Sequence, residues 1–452
     1  MLNELAAAVR NGGVHPRELV AESLRRIEAA NPALNCVTEL RAEQALAEAE
    51  ASPRTGPLAG IPFLVKDLAD VTGMRTTFGT RMLAEAPLAT TDHLTVARLR
   101  AAGAIPIGKT NTPEFAYTAA THNPLWGVTR NPWNLERSPG GSSGGSAAAL
   151  AAGLAPIATT SDGGGSVRIP ASLCGLFGYK PTTGSVPRPA ASPWIDYSTW
   201  GATGATVADV IAEASLYIGP AHGDPGGLPA GSIDLTPRLP KRALLVPTLR
   251  GAIEAGHEEA VRQAAGVLEA AGVEVVDADN PIPGAVVTWF FAAAVELSGY
   301  LATRFSDAQR SLMGDDMQAY IAFGRSIGLD AYLDTRRQRF ELTRLLDEAL
   351  GDDTVLISAV ANVESWAAEG PLPTRIGDHE DPAVAVNTPE FNVTSSPAAS
   401  VPIGHDVAGV PIGLQVVGPR WRDGLVLGTA EALEHAQPWA PTAPGYEPFT
   451  LR

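Results

Sequence analysis

The chain has 452 residues and the composition of an ordinary folded protein, with 45% hydrophobic and 18% charged residues. Its formal net charge of −16 at pH 7 argues against direct nucleic-acid binding, because neutralising phosphates requires clustered lysine and arginine. The two cysteines, Cys36 and Cys174, lie far apart, so neither a disulfide framework nor a cysteine metal site is indicated. This cysteine content fits a cytoplasmic location.

Targeting and membrane segments are not expected. Glu4 and Arg10 lie where a secretory signal needs its apolar centre. The longest uncharged apolar stretch, 281–295, is too short to span a bilayer and is expected to pack inside the fold. The eight histidines form no close-spaced pair, which argues against a zinc motif.

The first half of the chain alternates helix and strand patterns. An apolar strand is predicted over 58–65, and it places Lys66 at its end, where α/β sheets commonly hold ligand-binding groups. A helix is predicted over 92–102, with Thr91 or Asp92 as its N-cap. These patterns indicate an α/β fold.

One stretch matches a nucleotide-binding signature. Gly103 to Thr110 reads G-x-x-x-x-G-K-T, the pattern of phosphate-binding loops. Such a loop needs a strand before its first glycine and a helix that opens at the lysine and threonine. Here a helix precedes the glycine, and a strand predicted over 104–107 fills the variable positions. We therefore reject a nucleotide site.

The stretch 139–168 contains two glycine-rich serine loops. They read Gly140-Gly141-Ser142-Ser143-Gly144-Gly145 and Gly163-Gly164-Gly165-Ser166. Consecutive glycines leave several backbone N–H groups free to point one way, as in an oxyanion hole. A flexible linker has a similar composition, but the apolar flanks 147–152 and 154–159 indicate packed elements.

Beyond these loops the α/β pattern continues. The predicted elements are helices over 170–175, 206–217 and 258–271, strands over 243–246, 273–276 and 410–417, and a helix over 425–435. Residues 284–350 differ, because they form long helical segments rich in aromatic residues. Most of these aromatic side chains are expected in the core, although such a helical segment can cover a binding cleft.

These motifs resemble those of the amidase signature family of serine hydrolases. The resemblance rests on both serine loops, the second of which continues through Arg168 to Ala171. It is supported by segments at 60–67, 101–115, 131–134, 180–182, 391–394 and 413–415. It is dense over 55–215, returns over 387–435 and is poor between them.

The resemblance implies an α/β fold whose core is a large mixed twisted β-sheet flanked by helices on both faces. A single amidase domain would span 1–452, with 55–215 as the signature core and 387–435 as the C-terminal part of that core. The segment 284–350 would be a helical insertion near the site that shapes the substrate pocket. No metal or organic cofactor is implied.

The family uses a Ser-Ser-Lys triad, and each member has a matching position here. Lys66 would be the base, Ser142 the bridging serine held by a cis peptide, and Ser166 the nucleophile that forms an acyl-enzyme. A lysine can act as a base only when neutral, and burial lowers its pKa toward that state. Neutral Lys66 would therefore draw the proton of Ser166 through Ser142.

The same resemblance assigns supporting roles around the triad. The oxyanion hole would consist of the backbone N–H groups of Gly163, Gly164, Gly165 and Ser166. Asp162 and Arg168 would hold the loops in shape. The chain departs from the family pattern at Gly163, where a larger residue is usual, and over 355–362, which lacks a common Thr-Pro pattern.

Three functions remain open at this point. The first is an amidase that hydrolyses the C–N bond of a linear, non-peptide, small-molecule amide, whose acyl and amine groups the sequence does not specify. The second is the glutaminase subunit of a tRNA-dependent amidotransferase, which resembles this chain in the same motifs. The third is a non-catalytic binding protein on the same scaffold. A homodimer is compatible with each of them.

Overall fold

The fold is known from a computed structural model that describes residues 1–188, 190 and 192–450. Its helices are α1 (Leu2–Arg10), α2 (Pro16–Leu34), α3 (Ala42–Glu50), α4 (Leu94–Ala101), α5 (Gly144–Ala151), α6 (Arg168–Cys174), α7 (Val207–Tyr217), α8 (Ala255–Ala270), α9 (Ala285–Arg304), α10 (Asp307–Arg310), α11 (Asp315–Ser326), α12 (Leu329–Leu350), α13 (Glu390–Val393) and α14 (Asp423–Ala436). Two short 3-10 helices span Arg81–Leu83 and Glu114–Ala116.

The strands alternate with these helices along most of the chain. They are β1 (Val37–Leu40), β2 (Pro62–Lys66), β3 (Ile105–Thr110), β4 (His122–Asn123), β5 (Gly127–Val128), β6 (Ile157–Ala158), β7 (Thr160–Asp162), β8 (Phe177–Lys180), β9 (Thr199–Gly204), β10 (Arg242–Leu245), β11 (Glu274–Asp277), β12 (Thr354–Ala359), β13 (Arg375–Ile376), β14 (His379–Glu380), β15 (Ala398–His405) and β16 (Pro411–Val417).

Two sheets form the centre of the fold. The larger has eight strands in the order β11-β10-β12-β16-β15-β8-β9-β7. It is mixed, because β10 pairs in parallel with β11 and β12 while the other pairs are antiparallel. The smaller sheet, β1-β3-β2-β6, has β2 parallel to both of its neighbours. The predicted mixed α/β core is confirmed.

Helices cover both faces of the large sheet. Successive side chains of a strand point to opposite faces, so a strand buried on both sides is apolar throughout. In β12, Val355 and Ile357 pack with α8 and α14, whereas Leu356 packs with α9 and α12. Val416 and Val417 of β16 divide in the same way. The two apolar clusters thus sandwich the sheet.

The strands around Lys66 differ in detail from the prediction. The strand expected over 58–65 begins at Pro62 and includes Lys66 itself. The neighbouring β3 extends to Thr110, so Lys109 of the G-x-x-x-x-G-K-T match lies within a strand and is buried. No helix opens at this lysine, which agrees with the rejection of a nucleotide site.

The N-cap predicted for the helix over 92–102 is wrong. Helix α4 begins at Leu94, and Nδ1 of His93 accepts a hydrogen bond from the Thr95 N–H at 3.2 Å. The carboxylate of Asp92 is engaged elsewhere, because it accepts from the Thr72 N–H at 2.7 Å and pairs with Arg100. Because its carboxylate is held by these long-range partners, Asp92 does not cap the helix.

Helix α9 is the most apolar of the long helices. Among the described residues it is the one helix whose length and composition alone would allow it to cross a membrane. Half of its most apolar window is buried inside the protein, where Ala285, Ala292 and Ala293 belong to an apolar cluster shared with α11 and α12. This packing is the inward packing expected for 281–295.

The contact between α9 and α11 depends on Gly324, which is buried on α11. A Cβ atom at this position would overlap the carbonyl oxygen of Ala294 on α9. Overpacking of this kind costs about 1–3 kcal/mol. We therefore expect Gly324→Ala to lower the free energy of unfolding by about this amount in urea titrations.

Gly299→Ala is the matched control, because Gly299 is exposed on α9 and a Cβ atom there would meet nothing within 4 Å. This substitution should stabilise the protein slightly, by about 0.5–1 kcal/mol, through the higher helix propensity of alanine. Equal effects of the two substitutions would contradict a close α9–α11 contact at Gly324.

Candidate active site

The site is organised around the amino group of Lys66, at the end of the buried strand β2. Its Nζ lies 2.8 Å from Oγ of Ser142, 2.8 Å from Oγ of Ser143 and 3.0 Å from Oγ of Ser161. Burial lowers the pKa of Lys66 to about 7, although the negative charge of Asp162 opposes this shift. Neutral and charged forms of this amine are therefore both accessible near neutral pH.

The three hydroxyl groups suit both forms of the lysine. A hydroxyl can donate one hydrogen bond and accept two, whereas an ammonium can only donate. Among the described residues no carboxylate lies within ion-pair distance of Lys66. A proton can therefore leave or enter Nζ without stranding an unpaired buried carboxylate.

Ser142 lies in the first glycine-rich loop, directly before helix α5. It is buried, its peptide bond with Gly141 is cis, and its carbonyl oxygen accepts a hydrogen bond from Oγ1 of Thr112 at 3.0 Å. The second loop adjoins it, because the N–H of Ser143 donates to the carbonyl oxygen of Ser166 at 3.3 Å. Folding thus brings the two serine loops together beside Lys66.

Ser166 lies between the second glycine run and helix α6. It is 8% exposed and lines a cavity. Within the described part of the chain, its Oγ makes no hydrogen bond to Ser142 or to another side chain. Hydrogen bonds used in catalysis are often long without a substrate and tighten when one binds. The hydroxyl is thus free to meet a molecule in the cavity.

The glycine loop differs from the expectation at one donor. The N–H of Gly165 donates to Oδ1 of Asp162 at 2.7 Å and is therefore occupied. For the N–H groups of Gly163, Gly164 and Ser166, no protein acceptor is present among the described residues. Three donors of the predicted oxyanion hole thus remain unoccupied, while the fourth fixes the shape of the loop.

Asp162 and Arg168 form a fully buried ion pair beneath this loop. Arg168 donates from Nη2 to Oδ1 at 2.8 Å and from Nε to Oδ2 at 2.9 Å. Burial alone would raise the pKa of the Asp162 carboxyl, but the Arg168 guanidinium holds it well below its usual range. The Asp162 carboxylate therefore stays ionised at neutral pH.

Distant parts of the chain complete this pair. The amide of Asn392 donates to Oδ1 of Asp162 at 3.0 Å, and Nη1 of Arg168 donates to Oε1 of Gln415 at 2.7 Å and to the carbonyl oxygen of Thr388 at 2.8 Å. Sequence analysis did not assign roles to these three residues. The only indication in the sequence was that Asn392 and Gln415 lie in the segments 391–394 and 413–415, which support the family resemblance.

Ser143 and Ser161 are further residues that sequence analysis did not place in the site. Both hydroxyl groups contact Lys66, and Oγ of Ser143 donates to the carbonyl oxygen of Ser161 at 3.2 Å. Both lie within or directly beside the two serine loops. The loop motifs therefore indicated their place in the chain, but not their contact with Lys66. Together they form most of the polar shell of the lysine.

A family model described as Amidase matches residues 18–427. The chain belongs to the amidase signature family. An acylamidase of Rhodococcus erythropolis is 34% identical to this amidase over 98% of the chain and 96% of that protein. A glutamyl-tRNA(Gln) amidotransferase subunit of Synechococcus sp. is 33% identical over 96% of the chain and 97% of that protein.

Solved structures give the same family. A bacterial aryl acylamidase has a TM-score of 0.88 and 27% identity, with 96% of this amidase and 95% of that chain covered. A 6-aminohexanoate cyclic dimer hydrolase solved with its substrate has a TM-score of 0.85 and 30% identity, with 98% of each chain covered. The amidase is therefore an amide hydrolase.

The Asp162–Arg168 pair generates a stability prediction. Removing one partner of a buried pair leaves an uncompensated charge and costs about 3–5 kcal/mol. We expect Arg168→Ala to lower the free energy of unfolding by about this amount, measured by urea titration. Lys241→Ala is the control, because Lys241 and Asp353 form an ion pair that is exposed.

The control should leave the free energy of unfolding almost unchanged, since water screens exposed ion pairs. Arg168→Lys should fall between the two, because lysine keeps the charge but cannot donate two parallel hydrogen bonds to the carboxylate. If Arg168→Ala proved as stable as Lys241→Ala, the pair would not hold the loops.

Proposed function

We propose that this amidase hydrolyses a small-molecule carboxamide, with Ser166 as nucleophile, Ser142 as proton relay and Lys66 as base. The observation that carries the proposal is the 2.8 Å contact between Nζ of Lys66 and Oγ of Ser142, because it links a lysine with a lowered pKa to the loop beside Ser166. Serine hydroxyls are weak nucleophiles until such a base removes their proton.

The proton follows the acceptors in order. Oγ of Ser166 gives its proton to Oγ of Ser142, whose own proton passes to neutral Lys66. The freed oxygen forms a bond to the carbonyl carbon, and the carbonyl electron pair moves to the oxygen. The electron pair of the oxyanion then re-forms the carbonyl bond as the C–N bond breaks, and the leaving nitrogen takes the proton of Lys66 through Ser142, so Lys66 becomes neutral again. Water then hydrolyses the acyl-enzyme and restores the Ser166 hydroxyl.

Backbone donors stabilise the negative charge on the carbonyl oxygen. The unoccupied N–H groups of Gly163, Gly164 and Ser166 are the donors we assign to this oxyanion hole. They are preorganised, because Oγ1 of Thr388 donates to the carbonyl oxygen of Gly164 at 2.7 Å and Gly165 is tied to Asp162. Preorganised donors need no reorganisation when charge develops.

A glutaminase that works within a tRNA-dependent amidotransferase is the second candidate. The 33% identity to the Synechococcus amidotransferase subunit favours it. The structural likeness is lower, since the corresponding protein of Thermotoga maritima has a TM-score of 0.76, against 0.88 for the aryl acylamidase. We therefore assign amidase activity without a partner protein. We also propose that residues 1–452 constitute a single amidase domain.

Labelling with a fluorophosphonate probe tests the nucleophile. We expect one adduct on the wild-type protein, detected as an increase in intact mass, and none on Ser166→Ala. Ser215→Ala is the control, because Ser215 is exposed on α7 and far in sequence from the two serine loops, and it should keep the adduct. An adduct retained by Ser166→Ala would assign the reactive serine elsewhere.

The pH dependence of hydrolysis tests the base. Lys66 is active when neutral, so kcat/KM should rise with pH through a midpoint near 7 and reach a plateau above it. One pH unit below the midpoint, kcat/KM should be about tenfold lower than the plateau. In Lys66→Ala the rise of kcat/KM with pH around 7 should disappear, and kcat/KM on the plateau should fall by about 10²–10⁴-fold. Full activity of this variant at neutral pH would contradict the relay.

A further inference from the structure

A cavity of about 400 Å³ opens onto the catalytic loops. Gly141, Gly164 and Ser166 form part of its wall. Much of the remaining wall is aromatic and consists of Tyr117, Trp194, Trp289, Phe290, Phe291 and Phe323. A cavity of this size and character encloses small ligands chiefly through apolar contacts.

The aromatic side chains form a continuous array instead of isolated contacts. The rings of Trp194 and Trp289 pack edge to face with centroids 5.9 Å apart. Phe290 lies 6.4 Å from Trp289 and 5.3 Å from Phe323. Aromatic rings attract further rings at such separations and in such offset or edge-to-face arrangements. The array can therefore accept another ring from a ligand.

Trp289 also connects this array to the glycine loop. Its Nε1–H donates to the carbonyl oxygen of Gly163 at 2.7 Å. A Cβ atom on Gly164 would overlap the Trp289 indole, and one on Gly163 would overlap the Trp194 indole. The two glycines thus leave the space that the two indoles occupy. This fit explains why Gly163 departs from the larger residue usual in the family.

The charged groups of the cavity disfavour an anionic ligand. Arg250 pairs with Glu390 and donates to the carbonyl oxygens of Ala383 and Val386, each at 3.0 Å, so a carboxylate of the protein already balances its charge. Asp381 contributes a carboxylate that accepts from the Ala383 N–H at 2.8 Å. Among the described lining residues, no other charged side chain is present.

We propose that the cavity holds the aromatic ring of an amide without a carboxylate, and that Trp289 is the residue that couples ring binding to the oxyanion loop. This inference rests on the proposed function, because it takes Ser166 as the reacting group. It also disfavours glutamine as substrate, since glutamine would bring a carboxylate into a cavity whose one described cation, Arg250, is already paired with Glu390.

A matched substrate panel tests the selectivity. N-benzylacetamide and 2-phenylacetamide place a ring on either side of the amide. The corresponding cyclohexyl amides have similar size and release an amine of similar basicity or the same ammonia, but they have no π face. We expect kcat/KM for at least one phenyl amide to exceed that of its cyclohexyl partner by about two- to tenfold, because an aromatic pair contributes this much beyond its apolar area. Acetamide and glutamine should be slower still.

Three variants distinguish the role of the aromatic cavity wall from that of the hydrogen bond between Trp289 and the glycine loop. Trp289→Phe keeps an aromatic face but loses the Nε1–H donor, so kcat should fall for every amide with a small change in KM. Phe323→Leu removes part of the wall and leaves the loop untouched, so KM should rise for phenyl amides alone. Phe340→Leu, on an exposed side chain of α12 outside the cavity, is the control and should change neither parameter.

These experiments test selectivity for an aromatic ring separately from amide hydrolysis by Ser166. A fluorophosphonate adduct on Ser166, together with equal hydrolysis of phenyl and cyclohexyl amides or faster hydrolysis of glutamine, overturns the inference alone. If Trp289→Phe behaves as Phe340→Leu does, the coupling to the loop is overturned. The absence of both an adduct and hydrolysis of any amide would overturn the proposed function and this inference with it.

Discussion

The arrangement of the two serine loops depends on the buried ion pair between Asp162 and Arg168. The Asp162 carboxylate accepts from the N–H groups of Gly165 and Val167 and from the amide of Asn392, so the pair fixes the whole turn from β7 to α6. Burying two charges costs desolvation that only complete hydrogen bonding offsets. The gain is geometric, because a glycine run by itself would sample many conformations.

The same pair joins parts of the chain that are far apart in sequence. Thr388, Asn392 and Gln415, which contact Arg168, lie 220 to 247 residues beyond it. Gln415 belongs to β16, a fully buried strand in the middle of the large sheet. Its hydrogen bond with Arg168 therefore ties the position of the loop to the centre of the sheet. Loss of order in the sheet centre would therefore disturb the loop.

Sequence analysis predicted the elements whose signals are local. The end of β2 at Lys66, the two serine loops and the helical segment 284–350 follow from apolar runs, glycine clusters and helical periodicity. It could not assign Gln415 or Asn392, because the face of a strand and the partner of a side chain are set by tertiary contacts. It also gave Gly165 as a free donor, since a glycine run does not specify which N–H a neighbouring carboxylate takes.

Two buried lysines on neighbouring strands show how surroundings decide a role. Burial lowers the pKa of Lys109 on β3, but the Asp67 carboxylate 3.5 Å from its Nζ opposes this shift, and Nζ also donates to Oγ1 of Thr76 at 3.1 Å. Lys66 of β2 is equally buried but faces hydroxyl groups. The rejected nucleotide motif thus contains a structural lysine, and the lysine without a carboxylate beside it is the one suited to proton transfer.

The segment that resembles the family least, between 215 and 387, also contacts the glycine loop through Trp289. In the proposed mechanism the reacting groups come from residues 66 to 168, whereas α9 and α11 provide much of the cavity wall. Chemistry and substrate selection would then be divided along the chain. Because Gly164 leaves room for the indole of Trp289 on α9, the loop is adapted to this helical segment. A change of substrate in such an architecture requires replacing aromatic side chains on the helices, while the buried lysine, the serines and the ion pair can stay as they are.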